Sequence, residues 1–556
     1  MRTLTISAFA LLTFTSAWPQ VGNTWSDRLD SISSGIIDPP KWSAQLEGIH
    51  VGHIPPPSPA VDNPVNHWGR LAIWGHGVPD DSGEGRSTQM YVFDTKPDPV
   101  MGKFIDQSGN PTVNPMPNLL LSGVDCFCAG QTGDKNGDLL IVGGALEGHA
   151  IGIKDVNRFK FQNLSWESVK LMDYPRWYPT AVTLANGNIL TVAGIDATGQ
   201  GHSDIPELFN TTTGQWSIFN AVVQWPEAPF WRPFDSDPYP FMFAIHDSTD
   251  PKVFWAGKRR HTAHQQSNEA GRSHILNMTS LVYEPVTAGN PPWEGSGAVM
   301  WIDGTNPVSK GKIIKVGGNG TSFTVRDRKY FNASEKVGQI NLDNADPFWT
   351  SLPDLAEATI DCNMVLLPNG KLLVVGGAKY DHDYVAIQKL SSHAVRTTQM
   401  FDPANPTSPW DDDLLPMPDA DRRWYHSTAV LLPDGSVLSA GSNNEFNGRI
   451  YYPPYFSQAR PTIESAPATV TYGNNFNVTV GAGQTISKVT LLRLAATTHG
   501  FDQGQRFISC TFNQAGQNLS VTRPASGGVA PPGYYMLFVV FANGAPSHAR
   551  YVKVGP

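Results

Sequence analysis

Asn369-Gly370-Lys371-Leu372-Leu373-Val374-Val375-Gly376 decides the fold, because it joins a tight turn, a short apolar strand and a final glycine. Asn-Gly tolerates the positive φ angles of a two-residue hairpin turn. A short apolar run bounded by turn residues is typical of a buried strand. The glycine has no Cβ and lets a neighbouring backbone come close. The stretch therefore predicts a strand that follows a hairpin turn in a tightly packed β-sheet.

The same strand pattern occurs seven times, and the ends of consecutive copies lie 50–68 residues apart. Asn-Gly or Asp-Gly also precedes the copies that begin at Leu139, Ile189 and Val437. Periods of this size fit one four-stranded propeller blade per copy, with loops of variable length. The seven copies are Leu71–Gly75, Leu139–Gly143, Ile189–Ala193, Val253–Ala256, Ile313–Gly317, Leu372–Gly376 and Val437–Ala440.

The repeats resemble the kelch repeat, and they predict a seven-bladed kelch-type β-propeller. The alternative is a set of unrelated buried strands, which seven copies at near-even spacing disfavour. The pattern stops near Ser442, and the proline-rich stretch Tyr451–Pro461 is typical of a linker. Strand-like segments follow it, and about 100 residues suit one immunoglobulin-like β-sandwich. We therefore expect an all-β chain with a propeller at residues 18–457 and a sandwich at residues 458–556.

The first 17 residues are predicted to be a signal peptide. Arg2 precedes the apolar stretch Leu4–Phe14, and small residues end at Ala17. The apolar stretch is shorter than the roughly 20 residues that span a bilayer, which disfavours a membrane anchor. A secreted, extracellular protein is expected, with glycosylation candidates at seven Asn-x-Ser/Thr sequons. These are Asn163, Asn210, Asn277, Asn319, Asn332, Asn477 and Asn518.

Composition excludes one class of partner. The 556 residues carry a net charge of -9 and no long basic run, whereas nucleic-acid binding needs clustered lysine and arginine. Only 16% of the residues are charged, and 52 glycines and 45 prolines suit many short strands joined by turns. Four cysteines are too few for a disulfide scaffold.

Four short stretches contain residues suited to chemistry, although each alone fits an ordinary structural role. If Asp125–Gly130 is extended, Cys126 and Cys128 face the same side of it. The other candidates stand just before a repeat strand or in the sandwich, where an ordinary sheet aromatic or a lone surface or core histidine is the simpler interpretation. They are Tyr178 in Arg176–Thr180, Tyr425 and His426 in Arg423–Ser427, and His499 in Thr498–Asp502.

Together the four stretches resemble the copper-radical oxidase family, which contains galactose oxidase and glyoxal oxidase. The family has a Phe-Cys-x-Gly cysteine, a tyrosine before a repeat strand, a Tyr-His pair and a final histidine from the sandwich. The matching residues here are Cys128, Tyr178, Tyr425 with His426, and His499. The resemblance covers nearly the whole mature chain.

The resemblance implies one copper ion with the ligands Tyr178, Tyr425, His426 and His499. Two imidazoles, phenolate oxygens and an open position suit Cu(II). It also implies that Tyr178 is joined to the sulfur of Cys128 and carries a radical, which gives a Cys-Tyr protein-derived cofactor. Tyr425 would take a proton from the bound substrate, and O2 would be reduced to H2O2. Peroxide-using enzymes are the partners that such a product suggests.

Finer matches favour the glyoxal oxidase branch, whose substrates are small aldehydes that react as hydrates. Arg176–Pro179 and Phe127–Gly130 resemble that branch. Asp196 aligns with the tryptophan that stacks on the cross-linked tyrosine in galactose oxidase, and no galactose-binding arginine precedes Ala298–Trp301. A primary-alcohol oxidase remains the alternative enzyme, and a non-catalytic kelch glycan-binding or adhesion protein is the alternative from another class. If His499 is not a ligand, His76, His149 or His202 would replace it.

Overall fold

The computed structural model describes twenty-one ranges of the chain. The predicted signal peptide, His76 and His149 lie outside them. The described residues are 22–25, 49–56, 69–75, 78–79, 86–95, 103–105, 120–146, 151–199, 201–203, 205–219, 239–246, 251–257, 273–280, 282–286, 296–303, 306, 308–381, 393–418, 421–442, 445 and 447–556.

Within these ranges the chain is made of β-strands, with one 3-10 turn at Pro454–Ser457 in the predicted linker. The prediction of an all-β chain is therefore confirmed. No described helix is long and apolar enough to cross a membrane.

All seven predicted repeat strands are present, and each pairs with an antiparallel strand on both sides. We call the sheets around them repeat sheets 1 to 7, in chain order. Sheet 1 contains His50–Ile54, Arg70–Trp74, Tyr91–Asp94 and Lys103–Ile105, and sheet 2 contains Gly130–Gly133, Leu139–Val142, Val156–Lys160 and Ser165–Ser168. Sheet 3 contains Thr180–Thr183, Ile189–Val192, Glu207–Asn210 and Gln215–Ile218, and sheet 4 contains Met242–Ile245, Lys252–Trp255, His274–Asn277 and Tyr283–Pro285. Sheet 5 contains Gly297–Asp303, Lys312–Val316, Val337–Asn341 and Trp349–Ser351, and sheet 6 contains Asn363–Leu366, Leu372–Val375 and Gln399–Phe401.

Sheet 7 unites the two ends of the repeat region. Its strands Ser427–Leu431, Val437–Gly441 and Gly448–Tyr452 are completed by Thr24–Trp25, which pairs with Gly448–Tyr452. The first strands of sheets 1, 2, 3 and 4 contact one another in that order, as do those of sheets 5, 6, 7 and 1. Sheets 4 and 5 share one buried apolar cluster.

The glycines at the ends of the repeat strands pack as the sequence predicts. Gly143 has a φ of +70°, and a Cβ there would lie 2.2 Å from the carbonyl oxygen of Arg176. Gly376 has a φ of +73° and makes the same approach to Arg423, also at 2.2 Å. A side chain at either position would force neighbouring sheets apart, at the edge where the candidate residues lie.

The C-terminal strands form two layers over a shared apolar core. One layer contains Ile463–Ser465, Phe476–Val480, Phe512–Ala515 and Asn518–Val521. The other contains Thr469–Thr471, Lys488–Arg493, Phe507–Cys510, Gly533–Val540 and Arg550–Gly555. Two small sheets lie outside the repeat sheets and these layers: the hairpin Asn319–Val325 with Arg328–Ala333, and the sheet of Val78–Pro79, Arg86–Gln89 and Leu120–Leu121.

Strands of the C-terminal region pair with two of the repeat sheets. Phe507–Cys510 pairs in parallel with Gly297–Asp303, which extends sheet 5 into a nine-stranded sheet. Ala496–Thr498, followed by Phe501–Asp502, pairs with the first strand of sheet 1. This hairpin carries His499 towards the repeat sheets.

The seven sequon asparagines differ in exposure. Asn163, Asn477 and Asn518 are exposed, whereas Asn277 is buried. The side-chain oxygen of Asn277 accepts the backbone N–H groups of Thr279 and Ser280. Asn277 is therefore the sequon least suited to carry a glycan in the folded state.

Candidate metal centre

The structure brings the four candidate stretches together in one buried group. Sγ of Cys128 lies 3.4 Å from Nε2 of His499 and 3.8 Å from Nε2 of His426. The ligand atoms of these three residues all lie within 4.8 Å of one another. The hydroxyls of Tyr178 and Tyr425 hydrogen bond to each other. Residues separated by up to 371 positions in the sequence thus meet at one point.

The aromatic rings pack edge to face around this point. The His426 and His499 rings have centroids 4.7 Å apart at 81°. The His499 ring lies 5.2 Å from the rings of both Tyr178 and Tyr425. All five residues are buried, so their donor atoms lie in a protected environment.

An unusual backbone conformation precedes the first strand of several repeat sheets. Cys128, Tyr178 and His426 have φ values of +54°, +67° and +67°, and each stands one or two residues before such a strand. A left-handed conformation at a residue other than glycine costs about 1–3 kcal/mol and persists only where surrounding contacts impose it. Here it turns the side chains away from the sheets and towards the shared centre.

Hydrogen bonds between neighbouring sheets hold these turns. The N–H of Tyr178 donates to the carbonyl of Cys128 at 2.9 Å, and the N–H of Tyr239 donates to the carbonyl of Tyr178 at 3.0 Å. Tyr239 has a φ of +50° and stands before the first strand of sheet 4. The turns of sheets 2, 3 and 4 are therefore linked in sequence by their backbones.

His499 reaches the centre at the tip of the C-terminal hairpin. Its neighbour Gly500 has a φ of +76°, and a Cβ there would lie 2.3 Å from the carbonyl oxygen of Cys362. The N–H of Gly500 donates to Ser427 at 3.3 Å. Glycine is required because the tip passes this close to the turn before sheet 6.

Thr498 fixes the tautomer of His499. Its hydroxyl donates to the carbonyl of Ile49 at 3.0 Å and lies 2.6 Å from Nδ1 of His499. Because a hydroxyl has one proton, the Thr498 oxygen must accept a hydrogen bond from Nδ1–H. Nε2 then carries a lone pair and faces Cys128 and His426, as in a metal-binding imidazole.

Burial raises the pKa of the Tyr178 hydroxyl well above its ordinary value of 10, and the neighbouring Cys128 and Tyr425 raise it further. In these surroundings the phenol is neutral unless a cation lies close by. A bound metal ion reverses this preference because it favours the charged oxygen. Phenolate ligation at this place therefore depends on the metal.

Buried arginines explain the repeated Arg-Trp-Tyr motif. Arg176 is fully buried, forms an ion pair of 2.8 Å with Glu207 and donates to three backbone carbonyls between residues 193 and 205. Arg423 donates to the backbone carbonyl and to the side-chain oxygen of Asn447. Each arginine binds the loop that follows a repeat strand and so helps to hold the tyrosine two residues later in the sequence.

The extended conformation considered for Asp125–Gly130 is wrong. A turn with Cys128 in the left-handed region reverses the chain, so that the two cysteines belong to different apolar clusters. Cys126 packs beside Trp74, whereas Cys128 packs beside Tyr178. Burial raises the pKa of Cys126 to about 12, so that it stays a thiol. Cys128 is thus the cysteine placed against Tyr178, and none of the four cysteines forms a disulfide.

Two aromatic residues at the centre were not predicted. The Trp177 ring packs against that of Tyr178, with centroids 4.2 Å apart at 56°. Tyr239 lies 4.8 Å from the His499 ring and donates its hydroxyl to Ala129. Asp196, which the sequence resemblance predicts at the position of the stacking tryptophan of galactose oxidase, begins a turn by accepting hydrogen bonds from the backbone N–H and the hydroxyl of Thr198. His202 is half-buried and stands outside the cluster of metal-ligating atoms.

Comparison with known families agrees with the geometry. Residues 110–458 match the family model described as glyoxal oxidase N-terminus. Residues 460–554 match the model described as galactose oxidase-like, Early set domain. The chain belongs to the copper-radical oxidase family. Within this family of oxidoreductases, the implied reactants are O2 and an aldehyde or alcohol, and the implied metal is copper.

Named relatives lie in plants and fungi. This oxidase is 27% identical to the aldehyde oxidase GLOX of Vitis pseudoreticulata over 78% of its own length and 82% of the relative. It is 25% identical to the galactose oxidase of Gibberella zeae over 77% of its length and 61% of that protein. It also shares the fold of a copper-bound fungal alcohol oxidase, with a TM-score of 0.70, 20% identity and coverage of 96% and 100%.

The residues at the centre fit a copper ion. Two imidazole nitrogens and two phenol oxygens are the donors that suit tetragonal Cu(II). The hydrogen bond from His499 to Thr498 directs the lone pair of Nε2 inward. Tyr178, Tyr425, His426 and His499 are the residues that would hold the metal, with Cys128 beside Tyr178.

Proposed function

We propose that the chain is a secreted oxidase that converts small aldehydes, as hydrates, to carboxylic acids while O2 becomes H2O2. The observation that carries this proposal is the buried group of two imidazoles and two hydrogen-bonded phenols, with Cys128 beside one of them. A copper ion held there would accept one electron, and a radical on Tyr178 would accept a second, so that the site could carry out a two-electron oxidation.

The protein's own residues account for the proton and the hydrogen atom. The oxygen of Tyr425 would take the proton of one hydroxyl of the aldehyde hydrate. The oxygen of Tyr178 would accept the hydrogen atom from the adjacent C–H bond. The hydrate loses two hydrogens and becomes the acid, and O2 gains them as H2O2. Burial of both phenols keeps bulk water away from these transfers.

We further propose a thioether between Cys128 and Tyr178. A C–S bond forms, the S–H bond and one ring C–H bond break, and O2 takes the two protons and two electrons as H2O2. After copper loading in air, mass spectrometry should find the two tryptic peptides joined and lighter by two hydrogens. Cys128→Ser should abolish the link and Cys126→Ser should keep it. A Cys128 thiol in active, copper-loaded protein would exclude the thioether.

Small aldehydes are the proposed substrates because the motifs Arg176–Pro179 and Phe127–Gly130 resemble the glyoxal oxidase branch. The relatives named aldehyde oxidase support the same choice. Peroxide release from the copper-loaded protein should be faster with methylglyoxal than with galactose at equal concentration. Faster release with galactose or another primary alcohol would favour the alcohol-oxidase alternative. No copper binding and no peroxide would leave a kelch glycan-binding or adhesion protein.

The architecture belongs to the same proposal. We interpret repeat sheets 1 to 7 as the blades of a seven-bladed kelch-type propeller, residues 18–457, and residues 458–556 as an immunoglobulin-like sandwich. Secretion after cleavage of residues 1–17 and glycosylation at exposed sequons complete it. Release of H2O2 outside the cell would serve peroxide-using enzymes.

A further inference from the structure

We propose that His50 is a positioning residue that holds Cys128 in place for the thioether with Tyr178; this inference rests on the proposed cofactor. His50 is the first residue of the first strand in sheet 1 and is fully buried. Its Nε2 accepts the backbone N–H of Cys128 at 3.0 Å. An accepting Nε2 has no proton, so His50 is neutral with its proton on Nδ1.

This hydrogen bond begins the series that links the turns around the centre. Cys128 accepts from Tyr178, and Tyr178 accepts from Tyr239, through backbone groups alone. The N–H of Cys128, by contrast, donates to a side chain, the imidazole of His50. Both backbone polar groups of Cys128 are thereby held, its N–H by His50 and its carbonyl by Tyr178.

A tryptophan fixes the imidazole of His50. The rings of His50 and Trp74 stack with centroids 4.7 Å apart and an interplanar angle of 4°. Trp74 also donates its indole N–H to the carbonyl of Cys126 at 3.3 Å. The two stacked rings therefore hydrogen bond to the turn on both sides of Phe127, Trp74 at Cys126 and His50 at Cys128.

Holding this turn matters because Cys128 is strained. Its φ of +54° lies in a region that costs about 1–3 kcal/mol outside glycine. Without its acceptor the buried N–H would be unsatisfied, which favours relaxation of the turn. Relaxation would move Sγ away from the ring of Tyr178, and small misplacements of reacting atoms slow reactions strongly. His50 thus controls the rate of thioether formation without touching the reacting atoms.

The test compares variants of position 50 that differ in side-chain length or in the ability to accept the hydrogen bond from the N–H of Cys128. His50→Phe keeps a ring to stack on Trp74 but has no acceptor. His50→Gln places an amide oxygen near the position of Nε2, whereas His50→Asn is too short. Thr88→Val is the matched control, because Thr88 accepts the N–H of Cys126 at 2.7 Å and is equally buried. Each copper-loaded variant is exposed to air, and joined peptide is measured over time together with copper content and Tm.

We expect His50→Phe and His50→Asn to form the thioether about ten- to a hundredfold more slowly than the wild type. His50→Gln should form the thioether at close to the wild-type rate. Thr88→Val should have a lower Tm than the wild type but form the thioether at the wild-type rate. If His50→Phe fails to fold, the comparison of Asn with Gln decides. A wild-type rate in folded His50→Phe or His50→Asn overturns this proposal alone. Absence of the thioether from the wild type overturns the proposed cofactor and this proposal with it.

Discussion

At the residue scale, most residues of the centre have a backbone conformation that is energetically unfavourable for a residue other than glycine. Cys128, Tyr178, His426 and His499 all have positive φ values. Each conformation costs about 1–3 kcal/mol, which the hydrogen bonds and packing around the turns must offset. The same contacts orient the donor atoms before any metal arrives. The centre is therefore preorganised, and residues that only support a ligand should influence metal binding.

Thr498 is the clearest of these supporting residues. Thr498→Val keeps the shape but removes the acceptor for Nδ1–H of His499, so the imidazole loses its fixed tautomer and orientation. Loss of such a partner typically weakens metal binding about 10–100-fold. Copper affinity measured by competition with a chelator should fall by this amount. Thr497→Val is the control, because the neighbouring hydroxyl has no hydrogen-bond partner among the described residues; equal losses in both variants would contradict the role of Thr498.

At the element scale, local sequence accounts for the strands but not for the turns that carry the chemistry. Asn-Gly turns and apolar runs are local signals, and every repeat strand was predicted. The turn at Cys128 contains no glycine or proline at the reversal itself, so the sequence did not distinguish a turn from the extended segment that was considered there. Contacts of Trp177, Tyr239 and His50 depend on segments far apart in the sequence. The parallel pairing of Phe507–Cys510 with sheet 5 likewise has no local signal.

The C-terminal hairpin has its own pH dependence through Asp502. Burial raises the pKa of Asp502 to about 6, although the N–H groups of Ala496 and Gly504 and the charge of Arg493 act in the opposite direction. From about pH 4 to pH 6, the folded state keeps a proton that the unfolded state has lost, so this group lowers stability as the pH rises.

Asp502→Asn keeps the oxygen that accepts the N–H groups of Ala496 and Gly504 but carries no charge. Its Tm should exceed that of the wild type at pH 7, and the difference should shrink towards pH 4. Thermal unfolding across this pH range measures the effect. The exposed Asp412→Asn should follow the wild-type curve. A constant difference between Asp502→Asn and wild type at all pH values would exclude burial of the charge as the cause.

At the scale of the whole molecule, the centre joins parts of the chain that are far apart in sequence. His499 comes from the C-terminal strands, whereas Tyr178, Tyr425 and His426 precede strands of repeat sheets 3 and 7. A ligand that binds only this assembled state stabilises it by mass action, about 2.7 kcal/mol at a concentration 100 times Kd. Copper should therefore raise the Tm of the entire protein.

His499→Ala tests this coupling more cleanly than removal of residues 458–556, which would also remove strands that pair with sheets 1 and 5. The variant should fold, bind copper weakly, release little peroxide and lose the copper-induced rise in Tm, because one of four ligands is missing. His202→Ala is the control, since this half-buried histidine stands outside the cluster and its loss should leave the rise intact. Full copper occupancy and turnover in His499→Ala would show that the coordination sphere is wrong. His76, His149 and His202 would then be the next candidate ligands to test by substitution.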